Sequence, residues 1–208
     1  TFKLNYNTTD MPGSVALFNG NISSTSWSTA NVDNSIKKYS YLYDDLNRIT
    51  SAVFSMPLQT GRYSLNNVSY DKNGNITYLS RNGYSGSWTF GVVDNLVYTY
   101  GTGNKLLKVV DNGTFYKDQG FKDGNTSGND YVYDANGNMT KDLNKGISAI
   151  SYNHLNLPTY ISFYPSQYAS IRYVYSADGT KLKKTVAGYG IPSTTTEYAG
   201  NYIYENNT

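Results

Sequence analysis

Cysteine is absent from the 208 residues, so the chain can form no disulfide, no thiolate metal site and no cysteine nucleophile. Glutamate occurs only at Glu197 and Glu205, and histidine only at His154. A Ser-His-Asp arrangement would therefore rest on one imidazole. Good helix formers are scarce, and no long stretch repeats its apolar positions at helical spacing. No apolar run approaches the ~20 residues that a membrane-spanning helix needs. Thr1 opens the chain without a charged start or an apolar leader, and Glu205–Thr208 carries no closing turn. Both features are those expected of a processed or excised piece. Charge is sparse as well. Charged residues make up 15% of the chain, the net charge is +2, and the 17 Lys and Arg are dispersed. That pattern excludes a nucleic-acid footprint. The one basic cluster, Lys181 to Lys184, is interrupted by Leu182 and reads as the solvated face of a strand.

What the chain has is tyrosine and glycine, 23 and 19 residues, with abundant Asn and Thr. Tyr, Thr, Val and Ile suit pleated strands, and an aromatic content of 15% argues against disorder.

A repeat organises these residues. Tyr70-Asp71-Lys72-Asn73-Gly74-Asn75-Ile76-Thr77 recurs as Tyr133-Asp134-Ala135-Asn136-Gly137-Asn138-Met139-Thr140. Looser copies begin at Tyr43-Asp44, at Tyr152-Asn153 and at Tyr175, the last with Asp178-Gly179 in its turn. A degenerate copy begins at Tyr100, and Phe18 to Ile22 resembles a partial one. The lead aromatics stand 19 to 33 residues apart, so connections vary in length and a solenoid of identical rungs is excluded.

Each copy predicts a hairpin. Leu96, Tyr98 and Tyr100 fall on one face of a strand, as do Ile171, Tyr173 and Tyr175. Asn-Gly and Asp-Gly pairs supply the positive φ values of the turns, and an apolar residue with Thr opens the return strand. Further pairs at Asn19-Gly20, Asn82-Gly83, Asn112-Gly113 and Asp123-Gly124 predict turns of the same kind. Residues 55–66, 117–130 and 187–196 read as exposed loops, and Pro158 as the end of a pairing or a strand edge. The expected architecture is all-β: consecutive antiparallel hairpins forming one long, twisted and curved open sheet. It forms a single domain over 1–208, with units near 17–30, 39–54, 68–80, 96–110, 131–143, 150–163 and 171–186.

The Tyr-Asp pair, the Asn-Gly turn and the following Asn-apolar-Thr resemble the Rhs/YD family of bacterial repeat proteins, over residues 39–186 and by extension the whole chain. Within that resemblance the structural positions are Tyr43, Asp44, Tyr70, Asp71, Asn73, Gly74, Tyr133, Asp134, Asn136, Gly137, Tyr175, Asp178 and Gly179. The resemblance implies a ribbon of hairpins that spirals into a hollow shell around a C-terminal payload. It also implies a secreted or cell-surface setting, and as partner the remainder of a parent polypeptide. It brings no cofactor. The Arg/Asp-Pro-rich signature that the family associates with self-cleavage is missing, so neither cleavage nor toxin activity carries over.

The residues bear on three other chemistries. Catalytic carboxylates are disfavoured, because 13 of the 15 acids are Asp, many at turn positions, and the adjacent pair Asp44-Asp45 would point to opposite faces. A calcium loop counted from Asp71 or Asp134 needs Gly at its sixth position and Glu at its twelfth, and finds Ile76 and Asn82, or Met139 and Lys145. Glycan binding is the serious alternative. Trp27 and Trp88 lie outside the repeat cores and are its candidate residues, with surface glycans as partners. The expectation is a non-enzymatic scaffold with no cofactor, metal, nucleic-acid partner or membrane insertion.

Overall fold

In a computed structural model of the chain, residues 1–9, 14–30, 33–86, 89–113, 119–165 and 169–207 are described. Seventeen strands make up the described chain, with short 3-10 turns at Thr102–Asn104 and Leu143–Lys145. The first sheet holds β1 (Phe2–Asn5), β2 (Ser24–Thr29), β3 (Asp33–Tyr43), β4 (Ile49–Met56), β5 (Gln59–Thr60), β6 (Leu65–Tyr70), β7 (Ile76–Gly86), β8 (Thr89–Tyr100) and β9 (Leu106–Asp111). The second holds β10 (Tyr131–Tyr133), β11 (Met139–Asp142), β12 (Ile147–Tyr152), β13 (Pro158–Phe163), β14 (Ser170–Tyr175), β15 (Lys181–Gly188), β16 (Ile191–Ala199) and β17 (Tyr202–Asn207).

Strand order follows chain order in both sheets, except that β5 pairs only with β4, and both sheets stay open. The strands thus divide into two sheets where the sequence reading runs them into one. The division falls after β9, where the described residues up to Asp130 contain no strand. By compactness the chain divides into Thr1–Thr99 with Val109–Lys122, and Tyr100–Lys108 with Asp123–Thr208.

The repeat turns have a common construction. Tyr43 pairs with Ile49, Tyr70 with Ile76, Tyr133 with Met139, Tyr152 with Pro158 and Tyr175 with Lys181. In each case the register shifts immediately before the tyrosine, so a bulge marks all five of these lead aromatics. In the repeat near 68–80, Asp71 Oδ1 accepts the amides of Asn73 (2.8 Å) and Asn75 (2.9 Å), and Gly74 N donates to Asp71 O. Asp134 does the same for Asn136, Asn138 and Gly137, and Asn153 for Leu155, Leu157 and Asn156. An Asx side chain thus caps its own turn.

In these five turns one residue is left-handed, whereas the degenerate turn after Tyr100 has two, Gly103 and Asn104. In the five it is Gly74 (φ 88°), Gly137 (φ 87°) or Gly179 (φ 85°), and Asn47 or Asn156 takes the same place in the looser copies. Asn73, Asn136 and Asp178 are not left-handed, so each pair contributes one positive φ, at its second residue. The connections are three-residue loops closed by a bulge, not two-residue turns.

Gly83, Gly113 and Gly124 lack the left-handed φ that turns of the repeat kind require, and two predicted loops contain strands. Asn82-Gly83 lies inside β7, where a Cβ on Gly83 would come within 2.9 Å of Val93, so close packing and not a turn requires the glycine. Residues 187–196 form the tight β15–β16 hairpin instead of a loop. Residues 55–66 contain the β4–β5 hairpin, where Met56 pairs with Gln59. Pro158 opens β13 and pairs with Tyr152.

Among the described residues the buried apolar side chains are few: Ala52, Phe54, Val68, Val93, Leu96 and Val109 in the first compact unit, and Tyr131 in the second. Much of the rest of the interior is polar, with Ser23, Ser24, Asp94 and Asp130 buried.

Candidate functional site

Two arrangements of side chains stand out, and the repeat residues build the first. Five lead tyrosines, Tyr43, Tyr70, Tyr133, Tyr152 and Tyr175, reach back to the preceding unit. Tyr70 donates its hydroxyl to the carbonyl of Ile49 (2.7 Å), Tyr152 to Met139 (2.6 Å) and Tyr175 to Pro158 (3.0 Å). Ile49, Met139 and Pro158 are the residues that pair with Tyr43, Tyr133 and Tyr152, the lead aromatics one unit earlier. Tyr43 donates to Ile22 O and Tyr133 to Leu106 O, both at 2.8 Å, so the partial and degenerate copies serve as acceptors too. Burial raises the pKa of all five phenols, which keeps them protonated donors.

Adjacent turns are also tied together. Arg48 grips Asp44 Oδ2 with Nε and Nη2, each at 2.7 Å, and donates from Nη1 to Asp71 O. Its guanidinium lies 4.4 Å over the Tyr70 ring. Lys105, at the same place in the degenerate turn, lies 5.9 Å over Tyr133. The Asp carboxylates that these turns share are committed to their own loops. Asn75 holds Asp71, Asn138 holds Asp134, and Arg48 holds Asp44 below the usual carboxylate range.

The second arrangement is an aromatic groove in the first unit. On β3 the two-residue period puts Lys37, Tyr39, Tyr41 and Tyr43 on one face. Register then brings neighbouring strands into line, with Trp27 opposite Lys37 and Phe54 opposite Tyr39. Trp27 stacks on Tyr39 at 5.8 Å and 17°, Phe54 meets Tyr39 and Tyr63 edge to face, and Tyr63 meets Phe90 at 5.2 Å. The stripe crosses the strands and lines a cavity of about 610 Å³.

Three cations border it. Lys37 binds Asp33 at 2.8 Å and, with Ser35, holds that carboxyl near a pKa of about 2. Arg81 is paired with the buried Asp94. Arg62 lies 4.3 Å over Phe90. Tyr39 donates to Tyr63 O at 2.8 Å, which fixes the platform.

Of the two predicted ligand residues, Trp27 lies in this groove and Trp88 lies outside the described residues. The groove's other members carry no repeat signature. Arg62 and Tyr63 come from the turn before β6, and only the fold brings them to Trp27. His154 is exposed in the turn of a repeat. Among the described residues no cluster of His, Asp or Glu could hold a metal ion, and no helix is long and apolar enough to cross a membrane.

No protein-family model matches the chain, and no curated protein matches it. Among solved structures it is similar to part of the TcdB2-TccC3-Cdc42 complex, at 14% identity and a TM-score of 0.41, over 100% of this chain and 14% of that one. It is also similar to part of TcdB2-TccC3 without the hypervariable C-terminal region, at 11% identity and a TM-score of 0.26, over 91% of this chain and 15% of that one. It thus spans a small fraction of either structure.

Proposed function

We propose that the chain is a non-enzymatic structural segment of a larger Rhs/YD-type polypeptide, secreted or displayed on a bacterial surface. In this reading it supplies consecutive hairpins to a β-shell that encloses or presents a C-terminal payload, and its partner is the rest of that polypeptide. The observation that carries the reading is the tyrosine spine. Five lead tyrosines bind the backbone of the unit before them, so the repeat's most distinctive side chain is used for joining hairpins. The Asp residues are used in the same way, since their oxygens accept from their own turns.

Hydrogen exchange read by mass spectrometry tests this. Tyr152→Phe should deprotect both its own hairpin and the 133–139 turn before it. Deprotection confined to residues near 152 would make the hairpins independent modules and sink the shell reading.

A second reading, a carbohydrate-binding or adhesin module, is favoured by one observation, the stacked Trp27–Tyr39 platform at the mouth of a groove. Sugars present C–H faces to such rings and hydroxyls to neighbouring Asn and Arg. A glycan array on the purified chain, with Trp27→Ala alongside, separates the two. Specific binding lost in the variant would establish the module, and binding by neither protein would remove it.

A further inference from the structure

Five Asn-Gly pairs occur in the sequence, at Asn19, Asn73, Asn82, Asn112 and Asn136. By local chemistry all five are equal candidates for spontaneous deamidation, because glycine leaves the next amide nitrogen unhindered. The folded chain does not treat them equally. Gly74 N donates to Asp71 O at 3.2 Å and Gly137 N to Asp134 O at 3.1 Å. Gly113 N is held by the buried carboxylate of Asp111 at 2.8 Å. Asn82 sits within β7, its Nδ2 on Gly61 O (2.8 Å) and its Oδ1 accepting from Asn66 (2.7 Å).

Asn19 differs from all four. Like Asn73, Asn112 and Asn136 it is exposed, but its Oδ1 accepts the amide of Asn21 at 3.1 Å. The ring closed by that bond contains both Asn19 Cγ and Gly20 N, so the two atoms are held close together. The same bond draws electron density from Cγ and stabilises negative charge that develops on Oδ1. Among the described residues no acceptor holds Gly20 N. Asn153 has the same cap, with Leu155 N on its Oδ1, but its neighbour is His154, whose side chain obstructs the approach.

We infer that Asn19 is a self-modifying site, the position at which the folded chain deamidates first. Gly20 N loses its proton and attacks Asn19 Cγ. A C–N bond closes a succinimide ring, the Cγ–Nδ2 bond breaks, and the amide nitrogen leaves as ammonia with that proton. Water then opens the ring to aspartate or isoaspartate, and nothing is oxidised or reduced.

The site is also a joint. Asn19 Nδ2 donates to Asn47 Oδ1 at 2.7 Å, beside Asn21 Nδ2 at 2.9 Å, and so couples the first turn to the second. After reaction a carboxylate faces Asn47 Oδ1, acceptor against acceptor, and the donor from residue 19 is gone. The chain therefore carries a slow, irreversible release of its first turn, whatever its role in a larger protein.

Peptide mapping of the intact chain, aged in mildly alkaline buffer with and without urea, tests this. In the folded chain Asn19 should convert several-fold faster than each of the other four, and in urea the five rates should converge. An earlier conversion at Asn73 or Asn136, or an Asn19 rate that falls on folding, would overturn the assignment.

Discussion

Tyr152 donates its hydroxyl to the carbonyl of Met139 at 2.6 Å, and Met139 is the residue that pairs with Tyr133 across the preceding turn. One side chain thereby closes two hairpins onto each other. Tyr152→Phe keeps the ring and removes the donor, leaving a part-buried carbonyl unmet. The variant should lose about 1 kcal/mol of stability, read as a lower midpoint in urea. An unchanged midpoint would mean that water replaces the phenol at no cost.

The left-handed position of the turns allows a graded test. A Cβ on Gly137 meets nothing within 4 Å, so any cost of substitution there is conformational. Gly137→Val should destabilise by about 1 kcal/mol or more, because a branched Cβ resists positive φ. Gly137→Asn should cost distinctly less, since Asn47 and Asn156 hold the same place at φ 62° and 57°. Equal thermal shifts for the two variants would contradict the assigned turn.

Leu58 points to a stabilising change. It is fully exposed and left-handed at φ 62°, in the two-residue loop Pro57-Leu58 that joins β4 to β5. That position suits Gly or Asn. Leu58→Gly should raise stability by roughly 0.5–1 kcal/mol, the relief of left-handed strain less the added freedom of the unfolded chain. A lower melting temperature would show that Leu58 packs on something in solution.

Acid should loosen the turns. Asp44, Asp71 and Asp134 have depressed pKa values in the folded chain, from their Arg48, Asn75 and Asn138 partners, and Asp178 is lowered to about 2 by Ser176 and Thr180. A carboxylate more acidic when folded contributes stability above its unfolded pKa, near 4, and loses it as pH falls through the folded value. Melting temperature should hold through neutral pH and drop between about pH 4 and pH 2. Asp71→Asn with Asp134→Asn should flatten that drop, since Asn153 caps an equivalent turn without a charge. A drop of undiminished size in the double variant would place the acid sensitivity elsewhere.

Much of the hairpin plan is legible in the sequence, because a turn needs particular residues at particular places. Few residue types serve there: Asp71 or Asn153 can cap, and Gly74 or Asn156 can take the left-handed place. Where a residue serves packing instead, the same letters mislead. Gly83 follows an Asn as Gly74 does, but it is small because Val93 lies against it from a distant strand. The spine is hidden for a different reason. Its donors are visible as tyrosines, but its acceptors are backbone carbonyls of Ile, Met, Leu and Pro, which share no side-chain chemistry. The groove is hidden because its members come from four strands and a turn. Trp27 was legible as a candidate, whereas Arg62 and Tyr63 become its neighbours only through sheet register.

A lock whose keyhole is a peptide carbonyl accepts any predecessor. Such a chain can grow, shrink or exchange units by whole hairpins, and the segment between two tyrosines is free to drift in length and composition as long as it returns the next ring to the previous turn. The uneven spacing of the lead tyrosines, from 19 to 33 residues, is the trace of that freedom.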